Sequence, residues 1–330
     1  LAAIGLLIAG LIYFLLVKSP CALNETAYLN IYPNDTKEQV MTRLQQVGKM
    51  SSPQRLEFLL NLVGYQENVK PGQYALTPGI SSFKIVRMLR SGLQTPVKLT
   101  FNNMRTVEEL AGRLSNQLMA DSLTLLTCFR DTAWRDSLGL TDRNYVAVFI
   151  PDTYEVWWNI SPEKLRGKFV KAWKYFWDEK RTQEASKIGL TPAEVSTLAS
   201  IVEEETKQSD EMPKVAGLYL NRMRIDMPLQ ADPTVKFAVG DFTIKRILRE
   251  HTLVNSPYNT YKVIGLPPGP IRIPSIRALD ATLQPIRHSY LYMCAKEDFS
   301  GYHAFATTYE QHEANAVKYR MALNKNGIMR

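Results

Sequence analysis

The residues best suited to acid–base chemistry are three consecutive carboxylates, Glu203, Glu204 and Glu205, at the end of one helical pattern. That pattern starts at Thr191-Pro192-Ala193-Glu194, a capping box with proline in the first turn, which sets its phase. At 100° per residue with Leu198 as zero, Val195 lies at about +60°, Ile201 at about −60°, Val202 at about +40° and Glu205 at about −20°. Glu205 therefore falls inside the apolar stripe, while Glu203 at about +140° and Glu204 at about −120° fall on flanks where a solvated carboxylate is ordinary. A carboxylate on an apolar face must be paired or protonated, and a carboxyl kept protonated near neutral pH is a general acid. The alternative is that the stripe ends at Val202 and Glu205 opens an exposed last turn.

Downstream, short polar segments with constrained backbones follow. Asn221-Arg222 closes a helix, and Pro228-Leu229-Gln230-Ala231-Asp232-Pro233-Thr234-Val235 brings an amide and a carboxylate close together. Asn255 to Tyr261 (NSPYNTY) and Gly265 to Ile271 (GLPPGPI) are loops in which Pro and Gly limit the backbone while Tyr, Asn and Ser offer hydrogen bonds. Phe149-Ile150-Pro151-Asp152-Thr153-Tyr154, followed by Trp157-Trp158, has the same character. Such loops suit a groove for hydroxyl-rich ligands, and equally they can be plain connectors.

Taken in order, Leu198 to Thr206 (LASIVEEET), Leu220-Asn221-Arg222, Leu229-Gln230-x-Asp232-Pro233-Thr234-Val235, Tyr258-Asn259-Thr260-Tyr261 and Gly265 to Ile271 resemble the MltG (YceG-like) endolytic murein transglycosylases. The Phe149 to Tyr154 turn is similar to that family's F-P-D-T-Y segment, with Ile150 inserted, and Glu204 stands where the family often has Lys or Arg. The resemblance covers roughly Val97 to Arg330 and puts the catalytic glutamate on Glu205, the position helix geometry placed inward. It further implies substrate-binding roles for Glu203, Gln230, Asp232, Asn259, Tyr261, Asn221, Arg222, Asp152 and Tyr154. It implies a lyase that needs no cofactor or metal and acts on peptidoglycan glycan strands, with peptidoglycan synthases as candidate partners and no nucleic acid.

The chemistry can be checked against the count of acids. A glycoside hydrolase normally needs two carboxyl groups, whereas a lytic transglycosylase works with one, because the substrate's own muramyl 6-hydroxyl attacks C1. The rival readings are a muramidase that uses water with Asp232 as its second carboxylate, and a wall-binding scaffold without catalysis.

The elements that must position these residues come from a chain of 330 residues, about two domains' worth, with 45% hydrophobic and 22% charged residues. That balance excludes a disordered polyelectrolyte. Forty Lys and Arg against 32 Asp and Glu give +8, which suits an anionic polymer or a membrane surface without selecting either. Three cysteines, Cys21, Cys128 and Cys294, form no CxxC pair, so packing rather than disulfides must supply stability. Leu1 to Val17 carries no charge and reads as a transmembrane helix, although its rise of roughly 26 Å is slightly short of a hydrocarbon core.

Residues 18–26 read as a linker, and 27–95 as a strand–helix–helix–strand–helix unit resembling LysM-like modules in its succession of elements. Residues 96–330 form the catalytic domain with a helical insertion. Within it Phe169, Trp173, Phe176 and Trp177 follow a helical stripe, which predicts core packing rather than base stacking. Tyr290–Ala295 and Tyr302–Thr307 read as a hairpin pair, and Glu310–Asn324 as a closing helix. The expected class is α+β. The resemblance places the protein at the cell inner membrane as a single-pass protein, with the catalytic domain on the periplasmic side.

Overall fold

The computed structural model describes residues 2–50, 53–244 and 246–327. Leu1 of the apolar run and the last three residues of the expected catalytic domain lie outside them. The architecture is mixed α+β, with helices dominant and each sheet reduced to two strands. The chain divides into two compact units, one comprising Leu1–Leu99, Ser115–Asp121 and Thr153–Ser161, the other Thr100–Leu114, Ser122–Asp152 and Pro162–Arg330.

In the first unit α1 (Ala2–Ile12) runs into a π-helical stretch, Tyr13–Val17, which ends at the extended Lys18. No helix among the described residues is long and apolar enough to cross a membrane. Eleven α-helical residues rise only about 17 Å, and the widened π turn adds little. The end of the run is held instead by Arg55, which donates to the carbonyls of Phe14 (2.7 Å) and Lys18 (3.2 Å), and by the Ser82 hydroxyl on Lys18 (3.2 Å).

Next come β1 (Ala27–Ile31), α2 (Lys37–Val47), α3 (Gln54–Leu62), β2 (Gly72–Leu76) and α4 (Ser82–Ser91). β1 and β2 pair antiparallel with Leu29 opposite Tyr74, so strand alternation puts Leu29, Ile31, Tyr74 and Leu76 on one buried face. Against it pack Val40 and Leu44 of α2, Leu56 and Leu60 of α3, and Ile85 and Leu89 of α4. Thr36 and Gln39 form a reciprocal cap that starts α2, and Gly92 in the left-handed region ends α4. The likeness to LysM modules rests on this succession of elements alone.

A second strand pair is β3 (Val97–Phe101) with β4 (Asp152–Val156). The larger unit contains α5 (Val107–Ser115), α6 (Ser122–Phe129), α7 (Thr132–Ser137), α8 (Pro162–Phe176), α9 (Glu179–Lys187) and α10 (Pro192–Glu205). It continues with α11 (Met212–Arg224), α12 (Asp232–Val239), α13 (Ile276–Leu283), the antiparallel hairpin β5 (Tyr292–Ala295) and β6 (His303–Ala306), and α14 (Tyr309–Lys325). The aromatic stripe of α8 is core: Phe169 is surrounded by Phe101, Phe129 and Phe149, with ring centroids 5.5–6.0 Å away. A single central helix, α10, buries Val195, Leu198, Ala199, Ile201 and Val202 completely among α11, α13 and their neighbours.

Candidate active site

Glu205 ends α10, and the elements around it explain its state. Both hydrogen bonds of the Thr191–Glu194 capping box form at the other end of the helix. Midway, the Ser200 hydroxyl donates to Thr197 O (2.7 Å) and accepts from the Ile271 amide (3.0 Å), tying the Gly269-Pro270-Ile271 turn to the helix. Gly269 is required there, since a Cβ would lie 1.9 Å from the Arg143 carbonyl. At the C-terminal end Tyr219 of α11 donates its phenol proton to Glu205 Oε1 at 2.8 Å.

Burial pushes the Glu205 carboxyl up from the usual range to about 7. The Tyr219 hydrogen bond opposes that rise, the Asp232 carboxylate adds to it, and Arg222 partly offsets it. Burial also raises the Tyr219 phenol, reinforced by the neighbouring Glu205, so the phenol stays a donor. The result is a carboxyl that changes protonation near neutral pH and whose geometry is fixed from behind.

Glu205 lies in a cleft of about 240 Å³. One wall is the loop into α12, with Leu229, Gln230 and Asp232, joined by Tyr261 from the Asn255–Tyr261 loop; another is the hairpin, with Met293, Cys294, Ala295 and His303; Tyr219 and Arg222 of α11 complete it. Two buried threonines build the loop wall. Thr260 Oγ1 accepts from the Ala231 amide (3.0 Å), the Thr234 and Thr260 hydroxyls are 2.8 Å apart, and Gln230 donates its amide to Thr260 O (3.0 Å). They hold Gln230 at φ +49°, a left-handed conformation rare for a residue with a side chain and most often tolerated where a site demands it. Tyr261 then donates to Asp232 Oδ1 at 2.6 Å, at the N-terminus of α12 where a negative charge is favoured.

Arg222 is buried, and its guanidinium donates to the carbonyls of Leu291 (2.6 Å) and Leu229 (2.7 Å). It thereby joins the two walls across α11.

Five of the residues expected from sequence thus meet in one cleft: Glu205, Gln230, Asp232, Tyr261 and Arg222. The others do not line it. Glu203, expected on a solvated flank, has a side chain only 9% exposed and both oxygens engaged, accepting from Asn103 Nδ2 (3.0 Å) and the Ser275 amide (3.0 Å). Glu204 is 22% exposed and paired with Arg272 and with Arg105 (3.3 Å). The flanks are covered because the segment after β3 and the turn before α13 close over them.

Asn259 is fully buried and spends its side chain on its own loop, donating to Thr252 O (2.9 Å) and Val254 O (2.8 Å). Asn221 donates to His288 O (2.7 Å) and Tyr290 O (3.1 Å) and faces a separate concavity. Asp152 is exposed at the start of β4 and Tyr154 is buried within it; neither is among the cleft-lining residues.

Among the cleft residues that sequence reasoning did not find are Tyr219 and His303. Tyr219 continues the stripe Val215, Tyr219, Arg222 at i, i+4 and i+7 on α11, and a phenol on an inward stripe beside an inward carboxylate is a readable signal. His303 gives none, being brought in by the hairpin.

A carboxyl that titrates near pH 7 in a polar cleft, beside a carboxylate and a buried guanidinium, on a helix-dominated α+β frame, is an arrangement able to do general-acid chemistry. The chain belongs to the YceG-like family, whose sequence model matches residues 29–318. An endolytic murein transglycosylase of Bacillus subtilis (strain 168) is 37% identical over 142 residues, 43% of this chain and 39% of that protein. An endolytic murein transglycosylase of Streptococcus pneumoniae (strain D39) is 25% identical over 314 residues, 86% of this chain and 56% of that protein. The chain therefore spans between 39% and 56% of the length of these curated relatives. The crystal structure of a yceG-like protein from Listeria monocytogenes superposes with a TM-score of 0.57 at 26% identity, covering 88% of this chain and 99% of that one.

Proposed function

We propose that this chain is an endolytic lytic transglycosylase, a lyase that cleaves the MurNAc-β-1,4-GlcNAc bond of nascent glycan strands and leaves 1,6-anhydroMurNAc ends, so limiting strand elongation. The observation that carries the proposal is Glu205: one carboxyl with its pKa near 7, in a cleft, braced by Tyr219. Family membership and relatives named endolytic murein transglycosylases support the substrate class.

In this reading protonated Glu205 gives its proton to the glycosidic oxygen as the C1–O4 bond breaks. The muramyl 6-oxygen bonds to C1, and its proton passes to the Glu205 carboxylate, restoring the acid. Asp232, held by Tyr261, faces the positive charge that develops on the sugar ring, and Gln230 offers an amide to the acetamido or hydroxyl groups. The exposed apolar residues of α1, among them Leu6, Leu7 and Leu11, support placing that end at the inner membrane with the rest on the periplasmic side. Peptidoglycan synthases are the partners proposed for that setting.

Digestion of isolated sacculi with mass spectrometry of the released ends tests the reading. Anhydro ends from the wild type and none from Glu205→Gln are expected; wild-type turnover by Glu205→Gln refutes the assignment. Because Asp232 shares the cleft, a hydrolytic muramidase is the second reading, and reducing ends alone would select it.

A further inference from the structure

The hairpin wall holds a group that the mechanism above does not use. Glu211, at the start of α11 and only 4% exposed, spends both carboxylate oxygens on one residue: Oε1 accepts from the His303 backbone amide (2.8 Å) and Oε2 lies 2.7 Å from His303 Nδ1. Of the two neutral tautomers, a carboxylate at Nδ1 favours the one with its proton there, which leaves the lone pair on Nε2, the same device that orients imidazoles behind metal and catalytic sites. The ring so fixed lines the Glu205 cleft.

Such an acceptor has a use in the cleft. Before the first proton transfer Glu205 is itself protonated, and its Oε1 already accepts the Tyr219 phenol. Asp232 has one oxygen, Oδ1, engaged by Tyr261, and its other oxygen is the rival acceptor that Asp232→Asn tests. The Cys294 thiol, its pKa raised by burial, is a poor acceptor. An attacking hydroxyl is held in line most effectively by a base that does not also have to act as the acid.

We propose that His303 is a substrate-positioning residue: its Nε2 accepts a hydrogen bond from the muramyl 6-hydroxyl and holds that oxygen against C1, favouring ring closure over attack by water. Glu211 positions His303. The inference rests on the transglycosylase reading. The C1–O4 bond breaks and the C1–O6 bond forms; the proton leaves Glu205 for O4, and the O6 proton returns to Glu205, so His303 gains and loses none.

The test compares purified wild type, His303→Asn and Glu211→Gln on isolated sacculi, measuring kcat, KM and the ratio of anhydro to reducing ends, with circular dichroism as the fold check. Asparagine keeps a donor for Glu211 and lacks the distal nitrogen. In Glu211→Gln the amide can donate to Nδ1 and drive the ring proton onto Nε2. For both variants kcat is expected to fall about 10- to 100-fold with KM within about twofold, and the share of reducing ends to rise.

A fall in rate with an unchanged ratio of ends overturns the proposal, because a merely structural role moves only the rate. So does a ratio that responds to Asp232→Asn and not to His303→Asn. Wild-type protein releasing only reducing ends sinks the transglycosylase reading as well; anhydro ends from the wild type with an unchanged ratio in His303→Asn sinks this inference alone.

Discussion

Replacing Glu205 by glutamine should stabilise the folded protein, and only at high pH. The carboxyl titrates near 4.5 in an unfolded chain and at about 7 in the cleft. A folded-state pKa above the unfolded one means that the native state binds the proton more tightly, so stability is full below the unfolded pKa and is lost as pH rises through the folded one. A shift of roughly 2.5 units corresponds to about 3.4 kcal/mol at 1.36 kcal/mol per unit. Partial solvent contact of Glu205 reduces that to about 2–3 kcal/mol.

Glutamine occupies nearly the same volume, can accept the Tyr219 phenol, and carries no charge to desolvate. The variant should therefore melt together with the wild type near pH 4 and above it by on the order of 4–8 °C at pH 8.5, the gap opening between about pH 4.5 and 7. Paired thermal melts across that range measure it, and the wild-type reference at each pH cancels every other titration. An equal melting difference at pH 4 and pH 8.5, or a less stable variant at pH 8.5, would show that Glu205 is not desolvated and would remove the basis for its acid role.

The same carboxyl governs rate. As a general acid Glu205 must be protonated in the free enzyme, so kcat/KM should fall as pH rises through about 7; Tyr219→Phe removes a donor worth about 1.5 kcal/mol to the ionised form and should move that limb up by about one unit, which a pH–rate profile reads directly. Glu203→Ala strands the Asn103 side chain and the Ser275 amide, so a loss of about 1–3 kcal/mol in denaturant melts is expected while the folded fraction keeps its specific activity; loss of activity at wild-type stability would return Glu203 to the site. Gly269→Ala forces a Cβ against the Arg143 carbonyl and should lower stability by about 2–4 kcal/mol in urea titrations, because both partners are backbone and neither can swing away.

What was legible in the sequence depended on the range of the physics involved. Helix periodicity acts over one turn or two, and it placed Glu205 inward correctly; the same arithmetic put Glu203 and Glu204 toward solvent, and failed because Asn103, Arg105 and Arg272 arrive from segments about 70 to 100 positions away. The α10 cap was readable because a cap is written within a few residues. The π-helical stretch Tyr13–Val17 and the Arg55 bond to it were not, since composition reports hydrophobicity and shows neither.

Motif resemblance marked Asn221 and Asn259 alongside Gln230 and Tyr261 without distinguishing them: the asparagines hold backbone carbonyls while the other two face the cleft. A motif records that a residue type is needed at a position, and an amide clamping a loop is needed as strictly as one touching a sugar. Separating the two takes the third dimension. The cleft is closed by a helix end, a threonine-braced loop and a hairpin whose register sets His303 opposite Ala295, and no local pattern couples those three segments. The hairpin was legible as an element but not as a wall of the cleft, and that wall is accordingly where the remaining chemistry of this site is to be sought.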